Sequence, residues 1–166
     1  MKIIHRAIDF EKDREYVLEC HCRINYECDC PWARRIPYLQ YREEWYLMKS
    51  QVEGFYKYLQ ETARDAGTIA EIIADPQGKH VGYFWVPFHA DEESGFRFAE
   101  IQDVYVEEEF RKLGIAEELL RYAEENARRH GARVIRSGTG CENNPSIRLH
   151  HKLGYYQYRY EFEKEL

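Results

Sequence analysis

The sequence predicts an α/β fold, a mixed β-sheet with helices on both faces. Three observations predict it. Segments of strand and helix character follow one another in the order β-α-α-β-β-β-α-β-α-β, which suits a sheet covered on two sides. Residues 101–116, I-Q-D-V-Y-V-E-E-E-F-R-K-L-G-I-A, pass from an apolar strand pattern through an acidic turn, two cations and one glycine into a helix. The 166 residues are 44% hydrophobic and 33% charged, so the expectation is one domain, 1–166, with a real core.

Residues 2–8 alternate as a first strand. Asp9 is placed to cap a helix over about 10–25, with acids in its first turn. On that helix Val17, Cys20, Ile24 and Cys28 share a face, which makes Cys20 and Cys28 small core residues and leaves Cys22 and Cys30 off the stripe. Pro31 ends any helix before it. A long second helix spans about 37–64, with Trp45, Met48, Val52, Phe55 and Leu59 as its apolar seam.

Residues 68–75 and 79–88 form a hairpin around Pro76-Gln77-Gly78, and a further strand covers 96–106. The helix after Gly114 carries Ala116, Leu119, Leu120, Ala123 and Ala127 on one face and stops at Gly131. A strand at 132–137 follows. Asn143 or Asn144 then caps a short helix with Pro145 near its first turn, and 155–162 is a last strand.

Composition narrows the function. A net charge of −6 argues against nucleic-acid binding, which needs clustered cations, and mildly favours a cationic partner such as an amine. No apolar run reaches membrane-spanning length, and the start M-K-I-I-H-R-A-I-D is too short and too charged for a signal peptide. The expectation is a cytoplasmic protein that neither enters a membrane nor carries an export leader. Four of the five cysteines lie in C-H-C-R-I-N-Y-E-C-D-C, residues 20–30. Paired C-x-C is not the C-x-x-C of structural zinc sites, so no metal ligand is assigned, and metal binding or a redox role for Cys20, Cys22, Cys28 and Cys30 stays open beside the core reading.

The turn at 111–116 has the features a pyrophosphate needs. N–H groups at a helix start lack intrahelical partners, the helix dipole favours negative charge there, and glycine admits a close ligand. Arg111 and Lys112 add positive charge to an acidic approach. The same turn resembles the cofactor signature of the GNAT N-acetyltransferase superfamily: Gln or Arg, two residues, Gly, one residue, Gly or Ala. Arg111, Gly114 and Ala116 fill those places, and residues 143–155 are similar to the family's downstream motif.

The resemblance implies acetyl-CoA as co-substrate and direct attack of a primary amine, of a small molecule or a peptide, on the thioester. By position, the backbone of Val104, Tyr105 and Val106 would pair with the pantetheine arm. Arg111, Lys112, Leu113, Gly114, Ile115 and Ala116 would hold the pyrophosphate, and Asn143 would reach the cofactor. Glu100 aligns with the family's catalytic glutamate as general base; alternation puts Asp103 on the opposite strand face. The family's tyrosine acid is replaced by His150 in Leu149-His150-His151-Lys152-Leu153-Gly154-Tyr155, either as a substitute acid or as a packing residue. Tyr26, Glu27, Asp29, Trp32, Tyr38 and Tyr41 are expected near the acceptor. Family members often end in a hairpin; here the last strand is single or comes from a partner subunit, which would make a homodimer. A non-catalytic acyl-CoA sensor is the alternative function.

Overall fold

A computed structural model describes residues 1–28 and 33–164. The elements are β1 (Ile4–Ala7), α1 (Arg14–Cys28), α2 (Tyr38–Leu47), α3 (Lys49–Thr62), β2 (Ile69–Ala74), β3 (His80–Val86) and β4 (Phe88–Ala90). They continue as β5 (Arg97–Ile101), β6 (Asp103–Val106), α4 (Ile115–Arg129), β7 (Val134–Ser137) and α5 (Asn144–Lys152). The expected mixed sheet is present in two pieces. β1-β2-β3-β6 form an antiparallel four-stranded sheet, and β4-β5-β7 a three-stranded one whose β5–β7 pair is parallel.

Two expected strands are divided, and both divisions lie at the same level. The 79–88 strand breaks at Pro87, which has no N–H to give a ladder. The 96–106 strand breaks at Gln102. Trp85 pairs with Asp103 and Phe88 with Ala99, so three steps on one strand oppose four on the other. One residue is inserted, a β-bulge, and the chain passes there from one sheet to the other.

Helices cover both faces. α1, α2 and α3 bury Val17, Leu18, Trp45, Val52, Tyr56 and Leu59 against Ile72, Tyr83, Trp85 and Tyr105. α4 buries Ile115, Leu119, Leu120, Ala123 and Ala127 against Ile73, Val81, Phe84, Ala99 and Ile101, and Leu149 of α5 and Leu153 just after it add to that side. The five-residue stripe of α4 follows a 3.6-residue period, as its sequence requires. Among the described residues no helix is long and apolar enough to cross a membrane.

Several local expectations change. The long helix over 37–64 is two helices, because Met48 leaves helical geometry (φ −78, ψ 59) and its N–H closes on the Trp45 carbonyl. The 155–162 strand does not form. Tyr156, Tyr158, Tyr160 and Phe162 alternate as a strand would, but among the described residues no neighbouring backbone pairs with them, and they stand 54–94% exposed. Finally, Cys22 is buried along with Cys20, whereas Cys28 is only half-buried; Cys30 lies outside the described residues. Burial pushes the Cys22 thiol up to about 11, which makes it a poor thiolate near neutrality.

α1 starts at Arg14 rather than near Phe10, and Asp13 explains why. The Asp13 carbonyl accepts from Val17 N, and its carboxylate accepts from Asp9 N at 2.7 Å and from both Arg6 terminal nitrogens at 2.7 and 2.9 Å. The Arg6 guanidinium holds this carboxyl below the usual carboxylate range. A depressed folded-state value contributes stability that is present above the ordinary carboxylate range and lost as pH falls through the folded value. Asp13→Asn is therefore expected to cost about 2 kcal/mol at neutral pH and to flatten the acid limb of a melting-temperature profile. An acid limb as steep as that of the wild type would show that Asp13 is not a main source of it.

Candidate active site

The bulge at Gln102 makes a cleft. Beyond it β6 pairs with β3 on one side only, while β7 stays with β5. Glu107 N bonds to the Val81 carbonyl at 2.9 Å, so Asp103, Tyr105 and Glu107 turn their backbone groups toward β3. By the two-residue period of a strand, Val104 and Val106 turn theirs toward the open edge. An extended chain of amide groups fits such an edge as an added strand. The Val104 and Val106 side chains point to the α4 face, and Tyr105 packs on the α1–α3 face. Burial and the nearby Glu107 raise the Tyr105 phenol to about 12, so it stays protonated.

The open edge leads to the 111–116 turn. Arg111 Nε donates to the Val106 carbonyl at 2.9 Å, and its guanidinium lies 5.6 Å over the Tyr105 ring and 3.6 Å from Glu27. Lys112 (φ 63) and Gly114 (φ 83) both adopt left-handed backbone. Gly114 is the N-cap of α4 with no side-chain cap, and the first intrahelical bond runs from Glu118 N to its carbonyl. The preceding N–H groups of that turn, Ile115 to Glu117, have no helical acceptor. Nothing stands within 4 Å of the place a Gly114 Cβ would occupy. Leu113 is exposed, Ile115 is core and Ala116 is half-buried. An uncapped, open helix start beside two cations suits a diphosphate.

Glu100 lies on β5 just before the bulge, with its backbone N–H on the Pro87 carbonyl. Its carboxylate is about one-third exposed and stands 3.5 Å from His89 Nε2, a buried atom with no hydrogen bond among the described residues. Its charge also helps hold the Tyr58 phenol up, after burial. The expectation that Asp103 opposes Glu100 is overturned. Ala99, Ile101, Val104 and Val106 all face α4 and α5, so the residue inserted at Gln102 brings Asp103 to the same face as Glu100. Asp103 is buried, and its Oδ2 lies 2.9 Å from Nδ1 of His21 on α1. Sequence reasoning missed this pair, because nothing local links residues 82 positions apart.

His150 lies on the other face, on α5. Its Nδ1 is 2.8 Å from the Ser146 carbonyl and its Nε2 is 2.8 Å from Ser137 Oγ. A carbonyl only accepts, so Nδ1 carries the proton and a neutral ring takes the Ser137 hydroxyl proton on Nε2. Tyr155 packs edge-on at 5.0 Å. Ser137 pairs with Ile101 at the last register position before the cleft. It is a second residue the sequence reading did not single out.

Asn143 is the α5 cap. Its Oδ1 accepts from Ser146 N, while Nδ2 lies 3.2 Å from Cys28 Sγ. That side chain is turned toward α1 and the cap. Gly140 sits beside it, and a Cβ there would lie 1.9 Å from the Cys28 carbonyl oxygen, so α1 closes directly over the loop after β7. Of the aromatic residues expected near an acceptor, Tyr26, Tyr38 and Tyr41 cluster with ring centres 5.2–5.3 Å apart. The Tyr26 hydroxyl donates to the Ile36 carbonyl and that of Tyr38 to Glu19. Asp29 and Trp32 lie outside the described residues.

A split mixed sheet whose open strand edge runs into an uncapped helix start can hold an extended polyamide chain and a diphosphate side by side. Residues 27–155 match the model of the Acetyltransferase (GNAT) family, and the chain belongs to that family. It is 27% identical over 123 residues to an uncharacterized N-acetyltransferase of Methanocaldococcus jannaschii, covering 71% of this chain and 51% of that protein. It is 33% identical over 88 residues to the L-methionine sulfoximine/L-methionine sulfone acetyltransferase of Salmonella typhimurium, covering 51% of this chain and 48% of that one. The chain thus matches only about half the length of these curated relatives. Its fold is similar to that of a putative acetyl transferase from Pyrococcus furiosus, with a TM-score of 0.68, 23% identity and 99% of each chain covered.

Proposed function

We propose that residues 1–166 act as one domain, an acetyl-CoA-dependent N-acetyltransferase that moves an acetyl group to a primary amine of a small molecule or peptide. One observation carries this reading: the cleft beside β6, whose open edge ends at the Gly114 helix start. The pantetheine amides suit the edge-facing backbone groups of Val104 and the Val106 N–H, the Val106 carbonyl being bonded to Arg111, and the diphosphate suits the turn from Arg111 to Ala116. With its side chain committed to the α5 cap and to Cys28, Asn143 shapes the wall of the cleft.

The amine sets the main barrier. An alkylammonium group with a pKa near 10.4 costs about 4–5 kcal/mol to deprotonate at neutral pH. Glu100 sits at the cleft apex, where it can receive such a group and accept a proton from it. The thiolate is a fair leaving group and needs one proton. On the α5 side a His150 ring that has taken up a proton at Nε2 donates it to Ser137 Oγ as the Ser137 hydroxyl gives its own proton to sulfur, so no alkoxide is left. His150 then acts through Ser137 rather than by its own contact with sulfur.

A thiol-release screen with acetyl-CoA against small amines, amino acids and peptide N-termini tests the function; no release with any amine sinks it. Arg111→Ala is expected to raise the acetyl-CoA KM roughly tenfold with little change in kcat, the signature of lost uniform binding. An unchanged KM would remove Arg111 from the diphosphate site.

A further inference from the structure

The reaction just proposed leaves one acid–imidazole pair unused, and its acid lies just past the Gln102 bulge, three residues along the chain from Glu100. Asp103 is the first residue of β6 and is 3% exposed. Its carboxylate accepts from His21 Nδ1 at 2.9 Å, which leaves Nε2 of a neutral ring with a bare lone pair. The ring is held firmly, stacked on Phe55 at 3.6 Å and 11°, with Trp45 at 5.9 Å. His21 Nε2 has no hydrogen-bond partner among the described residues, and the side chain keeps 18% of its surface. An imidazole fixed by a buried carboxylate, with its outer nitrogen unspent, is built to accept a proton.

The bulge puts this pair on the same face as Glu100. Ring contacts run along that face from His21 to Phe55, from Phe55 to Trp85 and from Trp85 to Tyr58, whose phenol lies within the field of Glu100. Proton accounting calls for such a group. An ammonium nitrogen bears three N–H bonds and the product amide one, so two protons leave the nitrogen while one carboxylate holds only one.

We propose that His21, oriented by Asp103, is the second proton acceptor of acetyl transfer, taking through Nε2 the acceptor proton that Glu100 does not. This rests on the N-acetyltransferase reading. As the N–C bond forms at the thioester carbonyl carbon, the C–S bond breaks and sulfur departs with its electron pair. One nitrogen proton goes to a Glu100 oxygen and one to His21 Nε2. Sulfur takes one proton from the Ser137–His150 side, so one proton in net is released to solvent. Asp103 is a positioning residue: it sets the tautomer and does not touch the substrate.

The test uses the intact chain, acetyl-CoA and the best amine from the thiol-release screen. His21→Gln is expected to lower kcat roughly 100-fold, with the acetyl-CoA KM within about twofold. Asp103→Asn should lower kcat in the same direction. Added imidazoles should rescue His21→Ala in the order of their basicity, which a merely structural vacancy would not require. Nitrogen NMR of the wild type should show His21 as the Nδ1–H tautomer, a readout that survives if a variant fails to fold. Retained kcat in His21→Gln, rescue independent of basicity, or an Nε2–H tautomer in the wild type each overturns the proposal. Wild-type inactivity toward every amine instead sinks the N-acetyltransferase reading itself, so the two failures are distinct.

Discussion

Glu100→Gln lowers kcat by roughly 10²–10³ while the acetyl-CoA KM stays within about twofold. The amide keeps the shape and a hydrogen-bonding oxygen but cannot hold a proton taken from an ammonium group. The carboxylate is well placed for this change to read cleanly. It is about one-third exposed, it stands 3.5 Å from His89 Nε2, and its backbone is held by the Pro87 carbonyl rather than by its side chain. The fold should therefore be intact, which a melting curve checks. Steady-state kinetics at several pH values decide the role. Full turnover in the variant would remove Glu100 as the base and leave the His21–Asp103 pair as the proton acceptor on that face.

Gly82→Ala lowers stability by about 3 kcal/mol, a drop of about 6–12 °C in melting temperature for a chain of this size. Gly82 lies on β3 opposite Val106, and an alanine Cβ would stand 2.1 Å from the Tyr105 carbonyl oxygen. That atom is backbone in the ladder that holds β6 in place, so relief requires β3 and β6 to part. The same substitution at Gly54 has the opposite sign. Gly54 is inside α3 with nothing within 4 Å of a Cβ, and alanine there gains up to about 1 kcal/mol of helix propensity. Thermal melts of the two variants side by side check both. Equal shifts would mean that the close approach of the two strands at Gly82 is not a packing constraint. Because Val104 and Val106 form the open edge, Gly82→Ala should also weaken acetyl-CoA binding.

Much of the fold was legible because it is local. A 3.6-residue period marks α4, Asn143, one of the two asparagines expected, caps α5, and Gly114 takes the left-handed geometry that suits the start of α4. The cleft was not legible. It depends on one inserted residue at Gln102 opposite Pro87, and an alternating pattern reads straight through a bulge. That misreading put Asp103 on the wrong face and hid its meeting with His21. The C-terminal segment shows the converse. Tyr156, Tyr158, Tyr160 and Phe162 have an ideal alternation, yet a strand needs a partner edge and these residues have none among those described.

Two kinds of information thus meet in this chain. Backbone propensity, period and capping act over a few residues, so the amino-acid order alone settles the helix start at Gly114, the helical face of α4 and the place of Glu100 on a strand. Proton chemistry depends on side chains meeting across long separations. His21 with Asp103, and Ser137 with His150, come together only when α1 and α5 dock on opposite faces of a sheet that splits at Gln102. Burial and hydrogen-bond geometry, which exist only after that docking, decide which nitrogen carries a proton and which is left to take one.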